Sequence, residues 1–561
     1  MRGLAQAPRC CVVGGVRRER AAALVALALA AAPLAAQEPE PVRLRSVEIR
    51  TRDVFADEDA DGNLFYWLAN ALHMVTREHV VACENWLRPG DSITSEQVAE
   101  LERNLRATHL FGAAAVTPRP AGDGLTDLLI DTRDRFSLNL SASLARVGGV
   151  DKFGLRASEA NLLGTGKQLV LVSNEQEDEY QRYVRFTDPQ LLGSWHQFSI
   201  KTGRTEEGPF TNVELERPFK HLEDPWSYGA RYQGVDEDDD YYRFGESTAE
   251  LPLRRHSLQL FAAGADGPRD ARSTRGLDLR LTKSAYGTAT GPDAALVRVP
   301  GDTSSIEFGP FFEYEQRSRY DKVTRLDAID YVEDLELGIS LLGRVAVRLR
   351  DEQGAGSDVD PVLGAGVRIA AQPLRETYVT FAGHGTAAFG GDGLHTWNGS
   401  LALHAYEMSL PRQTLCGSLT YDFAGETQDP VPQLTLGEDN GLRGYPAREF
   451  AGSRFCRLNL EDRIDTGIEV LSVRVGLVAF TDAGWVHGPQ QGLSMGEAIR
   501  SVGCGLRFGS SHLFGGGVGR LDIAWPLDHV EGNRYSVSVS FSIGQIFTFF
   551  GNANELDTGF R

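Results

Sequence analysis

The stretch that decides the fold is LTLGEDNGLRGYPAREFAGSRFCRLN, Leu434–Asn459, in the C-terminal half of the chain. It is too long and too polar for a hairpin turn, yet alternating segments that predict strands flank it, so we expect a loop with a function. Two nearby glycines permit a sharp backbone path around the guanidinium of Arg443. An arginine in a confined place favours carboxylate partners, and the candidates that follow are Glu461 and Asp482.

This loop and the two segments after it resemble the bacterial outer-membrane-protein assembly superfamily, which includes BamA and TamA. In that superfamily an extracellular loop with a (V/I/L)-R-G-(F/Y) motif folds back into a β-barrel, and its arginine meets an F-x-D-x-G strand. Here GLRGYP at 441–446 is followed by NLEDR at 459–463 and FTDAGW at 480–485. The resemblance implies a loop motif of Arg443, Gly444 and Tyr445, with Asp482, Phe480, Gly484 and Glu461 as its receivers. From the loop motif alone, a glycine-rich turn with a solvated arginine is the alternative.

Composition and charge narrow the class of protein. The chain has 561 residues, a net charge of -20 and 61 glycines, and its many short alternating segments favour a β-rich protein. No basic stripe stands out, so we expect no nucleic-acid partner. No run of 18 or more apolar residues occurs, so the sequence predicts no transmembrane helix. A membrane barrel stays open, because barrel strands alternate and leave only a weak hydropathy signal.

The N-terminus predicts export. Arginine-rich residues 17–20 precede the apolar run 21–32 and a small-residue segment ending at Ala36, so residues 1–36 are expected to be a cleaved signal peptide. Four cysteines lie beyond it, without metal-ligand spacing or a C-x-x-C motif. Because they lie on separate segments, we expect unpaired packing cysteines rather than a disulfide framework. They are Cys83, Cys416, Cys456 and Cys504.

Residues 41–133 have the pattern of a small α+β domain. The predicted order is a strand at 42–50, helices at 63–73 and 76–86, a helix after Thr94, and strands near 113–117 and 125–132. Thr94 and Gln97 form a capping-box pattern, and an apolar helix face expected in the core consists of Val98, Leu101 and Leu105. The order resembles a single POTRA domain, the periplasmic module of the superfamily. Any small α+β domain is the alternative from the residues alone.

Residues 135–547 have the period of a β-barrel. Phe136–Leu144 alternates apolar with polar side chains, as lipid on one side and a polar lumen on the other require. The last segment alternates in the same way, and FSIGQIF at 541–547 resembles the closing-strand signal of outer-membrane barrels. The resemblance implies that the first and last strands meet at a weak seam, formed by Phe136, Leu138, Phe541, Gly544 and Phe547. Residues 548–561 are expected to be a C-terminal extension.

The resemblance also implies sixteen strands, eleven of them before the central loop. More candidates than eleven precede that loop, chiefly across 240–350, and we interpret part of the excess as hairpins beyond the membrane. The five candidates after the loop lie near 455–464, 469–482, 499–509, 518–527 and 534–547. A closed bacterial barrel is expected to have an even number of strands.

Motifs that carry chemistry are not evident. H-E-x-x-H and GK[ST] patterns do not occur. One G-x-S-x-G match, at 492–496, lies between two strand candidates and not on the strand-to-helix turn that a nucleophile elbow needs. We therefore expect no catalytic residue, no metal site and no cofactor, and a protein that is not an enzyme.

The resemblance implies a function at the bacterial outer membrane. The implied protein is mainly β, inserts or translocates other proteins, and has its POTRA-like domain in the periplasm. The expected partners are unfolded outer-membrane or secreted proteins, outer-membrane lipid and accessory lipoproteins. Two alternatives remain: a two-partner-type secretion pore, and a passive channel or structural barrel.

Overall fold

The protein consists of an N-terminal α+β domain followed by a closed antiparallel β-barrel. This computed structural model describes residues 41–56, 58, 61, 63–147, 150–176, 179–329, 331–391, 393–426, 433–470, 473–487, 498–509, 518–529, 536–543 and 545–546. Three segments lie outside these residues: the expected signal peptide at 1–36, the G-x-S-x-G match at 492–496 and the expected extension at 548–561.

The described residues of the N-terminal domain include a four-stranded sheet and three helices of seven or more residues. Its elements are β1 (Val42–Arg52), α1 (Leu64–Leu72), α2 (Glu78–Glu84), β2 (Ser92–Ile93), α3 (Ser95–Ala107), β3 (Phe111–Gly122) and β4 (Leu125–Asp134). The strand order is β2-β1-β4-β3, and β1 runs parallel to β4. The predicted capping box is confirmed, because the Gln97 amide donates to the Thr94 hydroxyl and the Thr94 amide donates to the Gln97 side chain.

The core of this domain lies between the sheet and helices α2 and α3. The predicted core face of α3 is confirmed: Val98, Leu101 and Leu105 are buried there. The sheet and α2 contribute the remaining buried apolar side chains, which include Leu44, Val80, Val81, Leu128 and Ile130. Helix α1 contributes no residue to this cluster within the described part of the chain.

In the part of the chain that the structure describes, the barrel closes through twenty strands. Fifteen precede the central loop: β5 (Leu138–Val147), β6 (Val150–Leu162), β7 (Lys167–Gln176), β8 (Glu179–Asp188), β9 (Gln197–Thr205), β10 (Pro209–Arg217), β11 (Trp226–Arg243), β12 (Glu246–Asp266), β13 (Ala271–Tyr286), β14 (Thr303–Val323), β15 (Glu333–Glu352), β16 (Gly356–Leu374), β17 (Thr377–Gly390), β18 (Gly393–Glu407) and β19 (Gln413–Glu426). Two short strands, β20 (Leu434–Leu436) and β21 (Phe450–Gly452), pair within the loop. Five complete the barrel: β22 (Arg454–Val470), β23 (Val473–His487), β24 (Ile499–Gly509), β25 (Gly519–Pro526) and β26 (Ser538–Ile543).

The expectation of sixteen strands is therefore wrong. The five strands after the loop were predicted, and the difference lies before it, where β12 to β15 all belong to the barrel wall. These strands are 16 to 21 residues long. A tilted membrane crossing needs only about 9–11 residues, so each of these strands is longer than one crossing would require. The candidates across 240–350, part of which we interpret from the sequence as hairpins beyond the membrane, are therefore strands of the barrel wall.

Side chains on the barrel wall alternate between two environments. On β15, Val345 and Val347 point outward and are 57% and 48% exposed, whereas Arg344 and Ala346 point inward and are buried. The Arg344 guanidinium donates to both carboxylate oxygens of Asp278 at 2.9 and 2.8 Å and to Glu307 at 2.5 Å. An apolar outer face and a charged, internally paired lumen are the pattern of a membrane barrel.

The N-terminal domain packs against one end of the barrel. The contacted segments at this end are the turns at 163–166, 189–196, 218–225 and 267–270 and the loop at 324–332. Arg106 of α3 binds both oxygens of Asp334 on β15 at 2.6 and 2.8 Å. The Asn104 side chain donates to the Lys220 carbonyl at 2.8 Å. We call this end the domain end and the opposite end the far end.

Candidate functional site

The loop between β19 and β22 enters the barrel from the far end, and its Arg443 is paired with carboxylates of the barrel wall. The Arg443 side chain is 1% exposed. Its Nε and Nη2 donate to the two oxygens of Asp482 at 2.7 and 2.8 Å, and Nη1 donates to Glu461 at 2.6 Å. A buried fork that meets a carboxylate in this bidentate way fixes both the position and the orientation of the loop.

The predicted receivers on β23 face the loop because side chains alternate between the two faces of a strand. Phe480, Asp482 and Gly484 are two residues apart, so all three point into the lumen. The Phe480 ring lies under the guanidinium, with its centroid 3.4 Å from Arg443 Cζ. A Cβ at Gly484 would lie 2.5 Å from Leu436 Cδ2, so the loop packs where this strand has no side chain.

The other motif residues hold the loop against β24 and β25. The Tyr445 hydroxyl donates to the Arg500 carbonyl at 2.7 Å, and the Asp528 amide donates to that hydroxyl at 3.3 Å. Gly444 has a φ of +91° and approaches Ala524, so a side chain there would be strained in backbone conformation. The structure thus brings the predicted loop residues and their predicted receivers into one cluster.

Sequence reasoning missed three members of this cluster. The Asn459 amide donates to Asp482 and to the Gly441 carbonyl, both at 2.7 Å. Asp522 on β25 lies 3.6 Å from Arg443 and accepts from Arg507 of β24 at 2.5 Å. Each of them sits at an inward position of an alternating strand, which is the signal that could have identified them.

A second loop, residues 324–332, enters the lumen from the domain end, and no sequence motif marks it. The Tyr406 hydroxyl of β18 donates to Asp327 at 3.1 Å, and the Thr414 hydroxyl of β19 donates to the Arg325 carbonyl at 2.9 Å. Leu326 is buried beside Tyr406. The loop therefore reaches inward-facing residues of β18 and β19, three to four strands further along the barrel wall.

The two loops are linked by a chain of ion pairs. Arg463 of β22 donates to Glu461 at 2.8 Å, and Glu461 also receives Arg443. The same arginine donates to the Leu326 carbonyl at 2.9 Å and contacts Asp327 at 3.4 Å. At the other side of the second loop, the Tyr331 hydroxyl donates to the backbone of α3 at 3.2 Å. Buried polar contacts thus connect the central loop to the N-terminal domain.

The barrel closes between β5 and β26 with little pairing. Between the described residues of these strands, one residue pair joins them, Val539 with Arg146. By contrast, β5 pairs with β6 through ten residues and β26 pairs with β25 through six. The single pair lies near the far end of β5, so Leu138–Ala145 lacks pairing with described residues of β26.

The predicted seam residues are only partly described. Leu138 begins β5 and is 38% exposed, Phe136 is half-buried just before it, and Phe541 lies in β26. Gly544 and Phe547 lie outside the described residues. Just beyond β26, the Gln545 side chain donates to the Asp327 carbonyl at 2.9 Å and Ile546 packs near Leu326. The end of the last strand therefore turns toward the loop in the lumen.

The cluster around Arg443 contains paired charged side chains and shows no arrangement for metal binding among the described residues. In the part of the chain that the structure describes, no group of three or more His, Cys, Asp or Glu side chains is arranged to hold a metal ion. The four described cysteines are free thiols. None of the described helices has the length and apolar character of a membrane span. Paired arginines and carboxylates can hold two loops in place, and that is the role the geometry supports.

Fold and site together define a closed antiparallel β-barrel with an internally anchored loop and an N-terminal α+β domain. No protein-family model and no curated protein matches the chain. Solved structures of similar fold include BamA from Haemophilus ducreyi lacking POTRA domains 1–3, which is 11% identical with a TM-score of 0.37 and matches 90% of this chain and 84% of that chain.

CdiB from Acinetobacter baumannii and CdiB from Escherichia coli are also similar. Each is 11% identical to this chain, with a TM-score of 0.43. The matches cover 90% of this chain and, respectively, 74% and 77% of those chains. At these scores the likeness is one of general architecture and carries no argument about function.

Proposed function

We propose that this protein is an outer-membrane barrel that inserts or translocates other proteins through its seam, with the N-terminal POTRA-like domain in the periplasm. The observation that carries the proposal is that one residue pair joins the described residues of β5 and β26. Unpaired backbone groups in lipid are costly, so a strand edge left open along a seam favours pairing with an incoming strand.

The contents of the lumen favour this function over a permanently open channel. The central loop and the 324–332 loop both lie inside the barrel, and buried ion pairs fix the first of them. In this proposal Arg443 with Asp482 and Glu461 keeps the central loop folded inside while the seam changes. The role of these three residues is structural and regulatory. The clients are unfolded outer-membrane or secreted proteins.

Photocrosslinking in cells that make new outer-membrane proteins tests the proposal. A photoreactive residue replaces Leu140 on β5 or Val539 on β26, and Val347, which also faces outward but lies on β15, is the matched control. Crosslinks to nascent barrel proteins from the two seam positions, and not from Val347, are expected. Crosslinks to one secreted partner would favour a two-partner-type secretion pore. An absence of crosslinks from the two seam positions, together with ion conductance that does not depend on clients, would favour a passive channel.

A further inference from the structure

Helix α1 carries an exposed apolar surface. Residues 63–76, NLFYWLANALHMVT, contain no Asp, Glu, Lys or Arg, although these make up 24% of the chain. Five large apolar side chains of the helix are between 44% and 71% exposed: Leu64, Phe65, Trp67, Leu68 and Leu72. A surface of this kind on a soluble domain marks an interaction site.

One face of α1 attaches it to the N-terminal domain and leaves these side chains free. The Tyr66 ring stacks on Phe55 with centroids 4.0 Å apart. The Asn70 side chain accepts from the Phe55 amide at 3.1 Å and donates to the Phe55 carbonyl at 3.0 Å. Tyr66 and Asn70 are four residues apart and share a face, so the other sides of the helix point away from these contacts.

The end of α1 is fixed at the rim of the barrel. His73 Nε2 lies 2.9 Å from Asp134 Oδ2, and the Thr76 amide donates to the same oxygen at 2.6 Å. The Asn161 side chain donates to the Thr76 hydroxyl at 2.8 Å. A Cβ at Gly164, in the turn between β6 and β7, would lie 2.5 Å from the Val75 carbonyl. The helix is therefore tethered beside the first strands of the barrel, near the seam.

Apolar side chains continue from the barrel wall to this rim. Leu138 and Leu140 of β5 face outward and are 38% and 71% exposed. Leu163 and Leu192 lie at the tips of two neighbouring domain-end turns, where they are exposed and adopt left-handed backbone conformations. Such conformations are uncommon for leucine. Water-facing turns do not require leucine, whereas turns at a membrane surface do favour apolar side chains.

We propose that α1 is an interfacial anchor that lies in the periplasmic leaflet of the membrane beside the seam. The inference rests on the proposed membrane barrel, and it names lipid as the partner of this helix. Tryptophan, phenylalanine and leucine are the side chains that bury at the boundary between head groups and acyl chains. The preceding sequence ADEDADG at 56–62 is acidic, so apolar burial and not attraction to anionic lipid drives the contact.

Tryptophan quenching by brominated phospholipids tests this placement. The full chain is reconstituted in phosphatidylethanolamine and phosphatidylglycerol vesicles, and the parent is compared with W67F and W226F. Trp226 faces outward on β11 and is 64% exposed, so it reports on the barrel wall. We expect W67F to remove a quenched component that is largest when bromine lies near the head groups and that is unchanged by high salt.

The controls separate failure of this inference from failure of the proposed function. If W226F removes a quenched component and W67F does not, α1 lies outside the lipid and the inference is overturned while the membrane barrel stands. If neither removes one but the parent is still quenched, for instance through the outward-facing Trp525 of β25, the anchor is likewise overturned; if the parent shows no quenching at all, the membrane barrel itself fails. Leu68→Asp should abolish the Trp67 component and keep the Trp226 component, and full Trp67 quenching in L68D would also overturn the anchor.

Discussion

Arg443 shows how one residue can hold a loop of more than twenty residues inside a barrel. Its guanidinium has carboxylate partners on β22 and β23 and a third carboxylate, on β25, at 3.6 Å. A buried ion pair adds little net stability over apolar packing, but removing one partner leaves an uncompensated charge. The cluster therefore specifies where the loop lies more than it stabilises the fold.

Arg443→Ala should release the central loop and destabilise the barrel. Two buried carboxylates, Asp482 and Glu461, would lose their shared partner, which typically costs about 3–5 kcal/mol. The free energy of unfolding in urea and protease cleavage within 434–453 measure the two effects. Arg500→Ala is the matched control, because Arg500 pairs with Asp528 at the surface and such pairs contribute about 0–1 kcal/mol. Equal losses in the two variants would refute the role of Arg443.

Sequence reasoning identified the residues of this cluster that have distinctive neighbours. Arg443 lies between glycines and Asp482 lies in FTDAGW, so each could be matched to a known pattern. Asp522 and Arg507 lie in ordinary alternating strands, and only strand pairing brings them near the loop. Contacts that depend on register across several strands are not readable from one sequence.

At the scale of elements, α3 docks the N-terminal domain through charged contacts. Glu102 accepts from Arg106 at 2.6 Å and from Lys322 of β14 at 2.7 Å. Burial opposes ionisation of this carboxyl, but the hydrogen bonds from Lys322 and Arg106 outweigh it and hold its pKa below the usual value. The charged form of Glu102 is therefore the one that supports docking.

Acid should weaken this docking. Because the folded pKa of Glu102 is lower than the unfolded value of about 4.3, its contribution is complete above that value and is lost as pH falls through the folded pKa. Glu102→Gln should thus remove part of the drop in thermal unfolding midpoint between pH 7 and pH 3. Glu48→Gln, at an exposed position on β1, should keep the full drop. An unchanged pH profile in E102Q would contradict the assignment.

The 324–332 loop should restrict the lumen at the domain end. Replacing residues 325–331 by a short Gly-Ser turn removes the contacts with Tyr406 and Arg463, so single-channel conductance in planar bilayers should rise. The matched control replaces residues 353–355, a turn at the far end, and should leave conductance unchanged. Equal conductance in both variants would show that this loop does not obstruct the pore.

This loop also marks the limit of element-level prediction. Alternation and capping predicted the three described helices and three of the four strands of the N-terminal domain, because those signals are local, whereas the two-residue strand β2 is too short to show a period. The 324–332 loop has no such signal, since its function depends on how far it reaches across the lumen to β18 and β19. The strand count failed for a related reason: a period-two pattern indicates a strand but does not show whether that strand belongs to the barrel wall or to a separate hairpin.

At the scale of the whole molecule, the lumen contacts and the seam are connected. The chain of polar contacts runs from α3 through the 324–332 loop to Arg463, Glu461 and Arg443. The residues just beyond β26 contact the same loop. A movement of the N-terminal domain would therefore reach both the last strand and the central loop, which couples client arrival to seam opening in the proposed function.

A disulfide across the seam should stop client insertion. Arg146 and Val539 are directly opposed, and opposed residues in antiparallel pairs have Cα atoms about 4.5–5.5 Å apart, within disulfide range. Cysteines are placed at both positions after the native cysteines are replaced by serine or, at buried Cys416, alanine. Insertion of a nascent barrel protein into vesicles that contain the oxidised variant should fall to background, and reduction should restore it.

The matched control places cysteines at Leu155 and Ser173, which are opposed on β6 and β7 and are equally close in the wall. This lock joins two strands that already pair over most of their length, so oxidation should leave insertion unchanged. Loss of activity in both variants would indicate a general effect of crosslinking. Full activity in the oxidised seam variant would mean that clients do not pass between β5 and β26. Passage through the seam would then be refuted, whereas the barrel, its inner loops and a route through the lumen would be unaffected.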